Sequence, residues 1–194
     1  MKPWQTSLPS AVSIALLAGA ALALFSSGLC LGAGVTWTLM HPEPRPGLPG
    51  PAGSALDHPA RPGAAVVAGD LEIRVTGAVR PADDTVMKGS MLNPRPGPGN
   101  EMILISLSIT CRPTEDNDPC NLIPALDFLL ASPAGVHRPK WLVTGLPNLL
   151  PSGEVATGET VLGDLVFEVG KEETRLVLVY TESWGSHTAY LAVP

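Results

Sequence analysis

Cys111 and Cys120 are the residues whose type and spacing first promise chemistry. They bracket Arg112-Pro113-Thr114-Glu115-Asp116-Asn117-Asp118-Pro119. Outside the cytoplasm, two cysteines so placed oxidise to each other. Closing so short a loop stabilises by about 2–3 kcal/mol on the chain-entropy model. The pair is not the inter-sheet disulfide of antibody domains, which spans far more sequence. A two-cysteine metal site would want further ligands close by, and the neighbouring sequence has none in place. Glu115, Asp116 and Asp118, beside Asn117, are the candidate Ca²⁺ oxygens, because Ca²⁺ takes about six to eight of them. The turn glycine and closing glutamate of an EF-hand are absent, so a solvated acidic turn pinned by the disulfide is the expectation.

Catalytic constellations are sparse. The folded part has two histidines, His137 and His187. Neither lies in a nucleophile-elbow, zinc-protease or phosphate-loop pattern. Carboxylates are plentiful, but no two are paired by spacing as acid and base. Trp141, Trp184 and Tyr190 supply aromatic surface for a sugar or a peptide, and packing would use them equally well. The reading is a protein that is not an enzyme, with no cofactor.

The elements that must carry these residues follow from periodicity. Asp70 to Thr76 alternates polar and apolar, as a half-buried strand does. Ile103, Ile105, Leu107 and Ile109 repeat at every second position, with Ser106, Ser108 and Thr110 opposite. Leu126 to Leu130 reads as a strand turning at Ser132-Pro133-Ala134-Gly135 into another that runs on to Val143. Thr160 to Val169 places Val161, Leu165, Phe167 and Val169 on one face. Leu176 to Thr181 and Thr188 to Val193 complete about seven strands, separated by Gly/Pro turns and with hardly a helix. That pattern predicts an all-β immunoglobulin-like β-sandwich over residues 66–194, with a small barrel as the alternative.

This outer part carries 9 Lys and Arg against 16 Asp and Glu, a net of −7. Such a surface argues against nucleic acid and against docking on anionic lipid.

Upstream, residues 41–65 are dense in Pro and Gly and read as an extended linker. Residues 11–40 carry no charge, and a bilayer core needs about 20 apolar residues in a helix. They read as a transmembrane anchor or uncleaved signal, with residues 1–10 a short cytoplasmic N-terminus. The apolar run continues past the first small-x-small sites, unlike a cleaved signal. Cys30 lacks a small residue before it and reads as a small apolar residue of the span, not a lipidation site. The expected location is the plasma membrane, single-pass, with the C-terminal domain extracytoplasmic; cleavage of the N-terminal segment would make the protein secreted.

A resemblance is carried by four blocks: Gly69 to Val75; Gly99-Asn100-Glu101-Met102 through Ile109; Asp127-Phe128 leading to Gly135; and Gly153-Glu154-Val155 through Gly163-Asp164-Leu165-Val166-Phe167-Glu168-Val169. In this order they resemble a bacterial cell-surface domain of unknown function, the family numbered 4352. That family has an immunoglobulin-like, immunoprotective-antigen-like sandwich. The resemblance covers residues 66–194, departing at Cys111 and Gly170, where the family often has asparagine and proline. It implies a surface domain behind a lipid or single-span anchor and brings no catalytic residues.

The expected function is a tethered, non-catalytic binding or adhesion module, its partner a protein or glycan of the cell envelope and its membrane contact through residues 11–40. Two rivals are an accessory subunit of a larger membrane complex and an envelope hydrolase using a carboxylate pair. An apolar patch on one sheet face would favour the accessory subunit.

Overall fold

The computed structural model describes residues 51–182 and 187–194. The span predicted over residues 11–40, with Cys30, and the residue Trp184 lie outside the described residues. Ten strands and two short helices follow in order. They are β1 (Ala65–Ala68), β2 (Leu71–Val79), α1 (Asp83–Gly89), β3 (Asn100–Cys111), β4 (Cys120–Leu122), α2 (Pro124–Asp127), β5 (Phe128–Ser132), β6 (Gly135–His137), β7 (Gly153–Val155), β8 (Thr160–Gly170), β9 (Val177–Thr181) and β10 (Thr188–Ala192). They build one four-stranded sheet in the order β1-β2-β3-β8, a second in the order β10-β9-β5-β6, and a small β4-β7 pair. Every pairing within these sheets is antiparallel.

The two sheets pack face to face as a β-sandwich because their inner faces are apolar at every second residue. Ile73 and Val75 of β2, Ile103, Ile105, Leu107 and Ile109 of β3, and Leu165, Phe167 and Val169 of β8 face Phe128, Leu130, Leu178, Tyr180 and Leu191 of the second sheet. Each such side chain contributes about 1.5–3 kcal/mol on burial. The Phe128 and Tyr180 rings meet at 5.4 Å, tilted by 55°.

The sequence pattern is departed from in four places. The first concerns β3: Met102 and Leu104, on its other face, are also buried. A second, smaller core of Ala82, Val86, Met102, Leu104, Val143 and Val166 covers the outside of the first sheet. Helix α1 supplies part of that cover and was not anticipated. Its seat is fixed by Ala82 N donating to Met102 O at 2.7 Å and Met102 N donating to Asp83 Oδ1 at 2.6 Å.

The second departure is at Leu126 to Leu130. Its first half is helical: Ile123 N donates to Asp127 Oδ2 at 2.6 Å, closing a turn that holds Pro124–Asp127 out of the sheet. The strand begins only at Phe128. Third, its partner β6 ends at His137, since buried Pro139 cannot donate to a ladder.

Fourth, part of the stretch read as linker belongs to the folded unit. β1 already starts at Ala65. Upstream of it, Ala60 N donates to Tyr190 O and Ala192 N donates to Ala60 O, both at 2.8 Å, and Tyr190 N donates to Gly53 O at 3.0 Å. Residues 53–60 thus cover the edge of β10, whose exposed amides would otherwise lack partners. Gly53 adopts φ +91°, and a side chain there would collide with Val66.

Candidate binding surfaces

Cys111 and Cys120 form the expected disulfide, with Cα atoms 5.7 Å apart. Between them Glu115, Asp116, Asn117 and Asp118 are exposed. Thr157 Oγ1 donates to Asn117 O at 3.0 Å and to Asp118 O at 2.8 Å, so two carbonyls of this turn are held by a hydroxyl. Among the described residues, no group of three or more His, Cys, Asp or Glu is gathered to hold a metal.

Of the two histidines, His187 is exposed, with Nδ1 3.0 Å from Glu182 Oε2. His137 Nε2 lies 2.8 Å from Glu173 Oε2. The same carboxylate oxygen accepts from Ser132 Oγ, while Oε1 accepts from Gly170 N at 2.8 Å. Burial raises the pKa of Glu173, but these hydrogen bonds outweigh it and hold the carboxyl below its ordinary value. Serine, histidine and glutamate meet here, yet the serine donates to the carboxylate, not to the imidazole. The arrangement is a strut and not a nucleophile with its base.

The strut continues into Arg80. Its Nη1 donates to Glu173 O at 2.6 Å and its Nη2 to Gly170 O at 2.8 Å, while Nε pairs with Glu101. One guanidinium fork therefore ties the end of β2 to the turn between β8 and β9. Sequence alone does not single out Arg80, because its carbonyl partners lie 90 and 93 residues downstream.

The second sheet's outer face is the larger candidate surface. Register places Tyr190, Val179 and Leu129 in one row, and Ala192, Val177, Ala131 and Val136 in the next. These seven side chains are apolar or aromatic: Val136 is 64% exposed, Leu129, Val179, Tyr190 and Ala192 are half-buried, and Ala131 and Val177 are buried. At one end of the face, Leu56, Pro59, Ala131, Pro133, Val177 and Ala192 line a groove of about 690 Å³, which also meets Asp57 and Arg175. A volume of that order suits a ligand or an inserted side-chain cluster. The face draws on four strands, so no local stretch of sequence announces it.

The other candidate lies on the opposite edge. Pro94, His137, Arg138, Lys140, Trp141 and Glu168 line a cleft of about 470 Å³. Glu168 pairs with Lys140 and accepts from Asn100 Nδ2 and Gly97 N, each at 2.8 Å. Those contacts, Lys140 foremost, lower its pKa to about 2. Trp141 stands 74% exposed. Tyr190 sits on the second sheet's outer face, so structure separates the two aromatic residues that sequence grouped.

No family model matches the chain, and no curated protein matches it. Among solved structures, the chain is similar to ycdA of Bacillus subtilis, assigned as a lipoprotein, at 16% identity and a TM-score of 0.49; the match covers 66% of this chain and 38% of that one. It thus spans well under half the length of that protein. It is also similar to the yjhA protein of Bacillus subtilis, at 15% identity, TM-score 0.49, and 70% and 99% coverage. A third likeness is to MPT63, a secreted protein of Mycobacterium tuberculosis, at 12% identity, TM-score 0.46, and 69% and 94% coverage.

Proposed function

We propose that this chain is a membrane-tethered, extracytoplasmic binding module without catalytic activity, which engages a protein of the cell envelope through the outer face of the β10-β9-β5-β6 sheet. The observation that carries the reading is the partly exposed apolar set Tyr190, Val179, Leu129, Ala192 and Val136, laid over buried Val177 and Ala131. Such a contiguous apolar face on one sheet marks a docking surface in a soluble domain. Protein fits it better than glycan, because sugar recognition needs polar groups interleaved with the rings. An accessory role in a larger membrane complex is the version of this reading in which the partner is permanent.

The Cys111–Cys120 disulfide supports an oxidising, extracytoplasmic compartment. The uncharged run 11–40 supports the tether. Kinship with the immunoglobulin-like, immunoprotective-antigen-like family 4352 is part of the proposal; the sequence blocks 69–75, 99–109, 127–135 and 153–169, in that order, are what support it.

Photo-crosslinking tests the reading. A photoreactive residue at Leu129 or Val179 in the full chain should trap one protein species that the same probe at Leu162, exposed on the other sheet, does not trap. Identical adducts from both faces, or none from either, would overturn it.

A further inference from the structure

Three of the most exposed large apolar side chains of the domain lie together. Met91 is 88% exposed, Leu92 87% and Trp141 74%, and Leu142 beside Trp141 is 61% exposed. They occupy two loops that Asn93 joins: its Nδ2 donates to Val86 O at 2.7 Å and to Thr144 O at 2.9 Å, and its Oδ1 accepts from Thr144 N at 2.8 Å. Asn93 itself is buried. Beneath the loops lies the second core, with Val86 and Val143 buried in it. The apolar tips are therefore held out on a fixed base.

Their charge is opposite to that of the domain. Residues 85–99 and 138–150 contain Lys88, Arg95, Arg138 and Lys140 and no Asp or Glu, whereas the domain from residue 66 carries a net of −7; Lys140 is paired with Glu168 and Asp84 lies one turn before Lys88, so the local excess rests chiefly on Arg95 and Arg138. Lys88, Arg95 and Arg138 are exposed. A tryptophan with long apolar side chains, carried on loops with exposed cations, matches a bilayer with anionic headgroups: the apolar tips enter the acyl boundary, the indole takes the interface, and the cations meet the phosphates.

We infer that the loops 88–95 and 138–142 form a docking surface for an anionic lipid bilayer, inserting Met91, Leu92, Trp141 and Leu142 beneath the headgroups. The surface stands independently of the tethered reading. The expectation from bulk charge, that an acidic domain avoids anionic lipid, is reversed at this one place.

The test uses the full chain with Cys30→Ser and Leu92→Cys, so that an environment-sensitive fluorophore sits at the tip while the disulfide stays oxidised. It is reconstituted in vesicles of phosphatidylcholine alone or mixed with phosphatidylglycerol, and quenched by brominated acyl chains. The expected result is quenching several-fold stronger than for the same label at Leu162→Cys, dependent on phosphatidylglycerol. Reversing Lys88, Arg95 and Arg138 to Glu should weaken that docking by about tenfold or more. Equal quenching at both positions, or a signal that appears only with added envelope proteins, would overturn the inference. Alkaline extraction separates it from the tether: a chain released by carbonate lacks an anchor, and its flotation with the anionic vesicles would still support the docking surface.

Discussion

Asn93 and Thr144, 51 residues apart, exchange two hydrogen bonds: Nδ2 donates to Thr144 O and Thr144 N donates to Oδ1. The amide thereby acts as a substitute backbone between two loops that no sheet pairs. Asn93→Ala would leave buried backbone groups without partners, at a cost of about 1–3 kcal/mol each where water cannot replace the amide. Denaturant unfolding should register a loss of at least about 2 kcal/mol. Asn93→Asp keeps the acceptor but loses the donors, and should not restore stability at neutral pH.

Gly145 gives the same loop pair a steric test. Its φ is +74°, and an added Cβ would lie 2.1 Å from Gly89 O, which is backbone and cannot swing away. Gly145→Ala should separate α1 from the 140s loop and cost about 2–4 kcal/mol, the sum of strain and disturbed packing. Amide exchange in residues 83–93 should speed up, with exchange in β3 little changed. Protection equal to that of the wild type would refute the close approach.

Acid dependence should centre on Glu168. Its folded pKa of about 2 lies below the ordinary value of 4.5, so its stabilising contribution is present above pH 4.5 and disappears as pH falls towards 2. The carboxylate lies near the surface, so solvent screening limits the effect to about 1–2 kcal/mol. Glu168→Gln should flatten this part of the pH–stability curve, measured by urea unfolding from pH 7 to 2.5. A curve of unchanged slope would contradict the assignment.

Arg80→Ala should be among the most damaging single changes on the surface of the sandwich. It strands Glu101, whose side chain is only 12% exposed, and removes the donors to Gly170 O and Glu173 O. Breaking such a pair costs about 3–5 kcal/mol. Arg80→Lys should recover little, because an ammonium cannot serve a carboxylate and two carbonyls in the plane of a fork. Thermal unfolding of both variants decides it.

Removing the Cys111–Cys120 bond by paired serine substitution should cost about 2–3 kcal/mol and leave the sheets assembled, since the closed loop is short. Equilibrium unfolding with and without the substitutions gives the difference. A much larger loss would mean that the bond holds β4 in place as well as restricting the unfolded chain.

The legible parts of this fold were those in which one strand states its own environment. Ile103, Ile105, Leu107 and Ile109 repeat at every second position, with Ser106, Ser108 and Thr110 opposite, and all four are in the core. The short helix α1 was not legible, because seven residues hold too few turns to display a period. A trace of it existed: Asp83 and Asp84 in the first turn and Lys88 in the last suit a helix dipole. The uninterrupted apolar run Met102–Ile105 also carried information, since a strand covered on both faces does not alternate. The binding surfaces were hidden for a different reason. Leu129, Val179 and Tyr190 become neighbours only through the register of three strands, and the loops that carry Met91 and Trp141 are joined through Asn93. Grouping by residue type instead joined Trp141 to Tyr190, which the sandwich keeps apart.

The attachment of residues 53–60 along β10 determines how the domain would carry load. A pull on the N-terminal side enters near Gly53 and reaches Tyr190 and Ala192 through the bonds of Gly53 and Ala60. The Ala60–Leu191 contact is parallel, whereas the ladders within the two main sheets are antiparallel. Those first bonds lie outside both main sheets, so the segment can yield and pay out chain before any inner-face side chain is drawn from the core. The segment thus works as a mechanical fuse, extending the reach of the domain while removing the Leu56 and Pro59 wall of the groove.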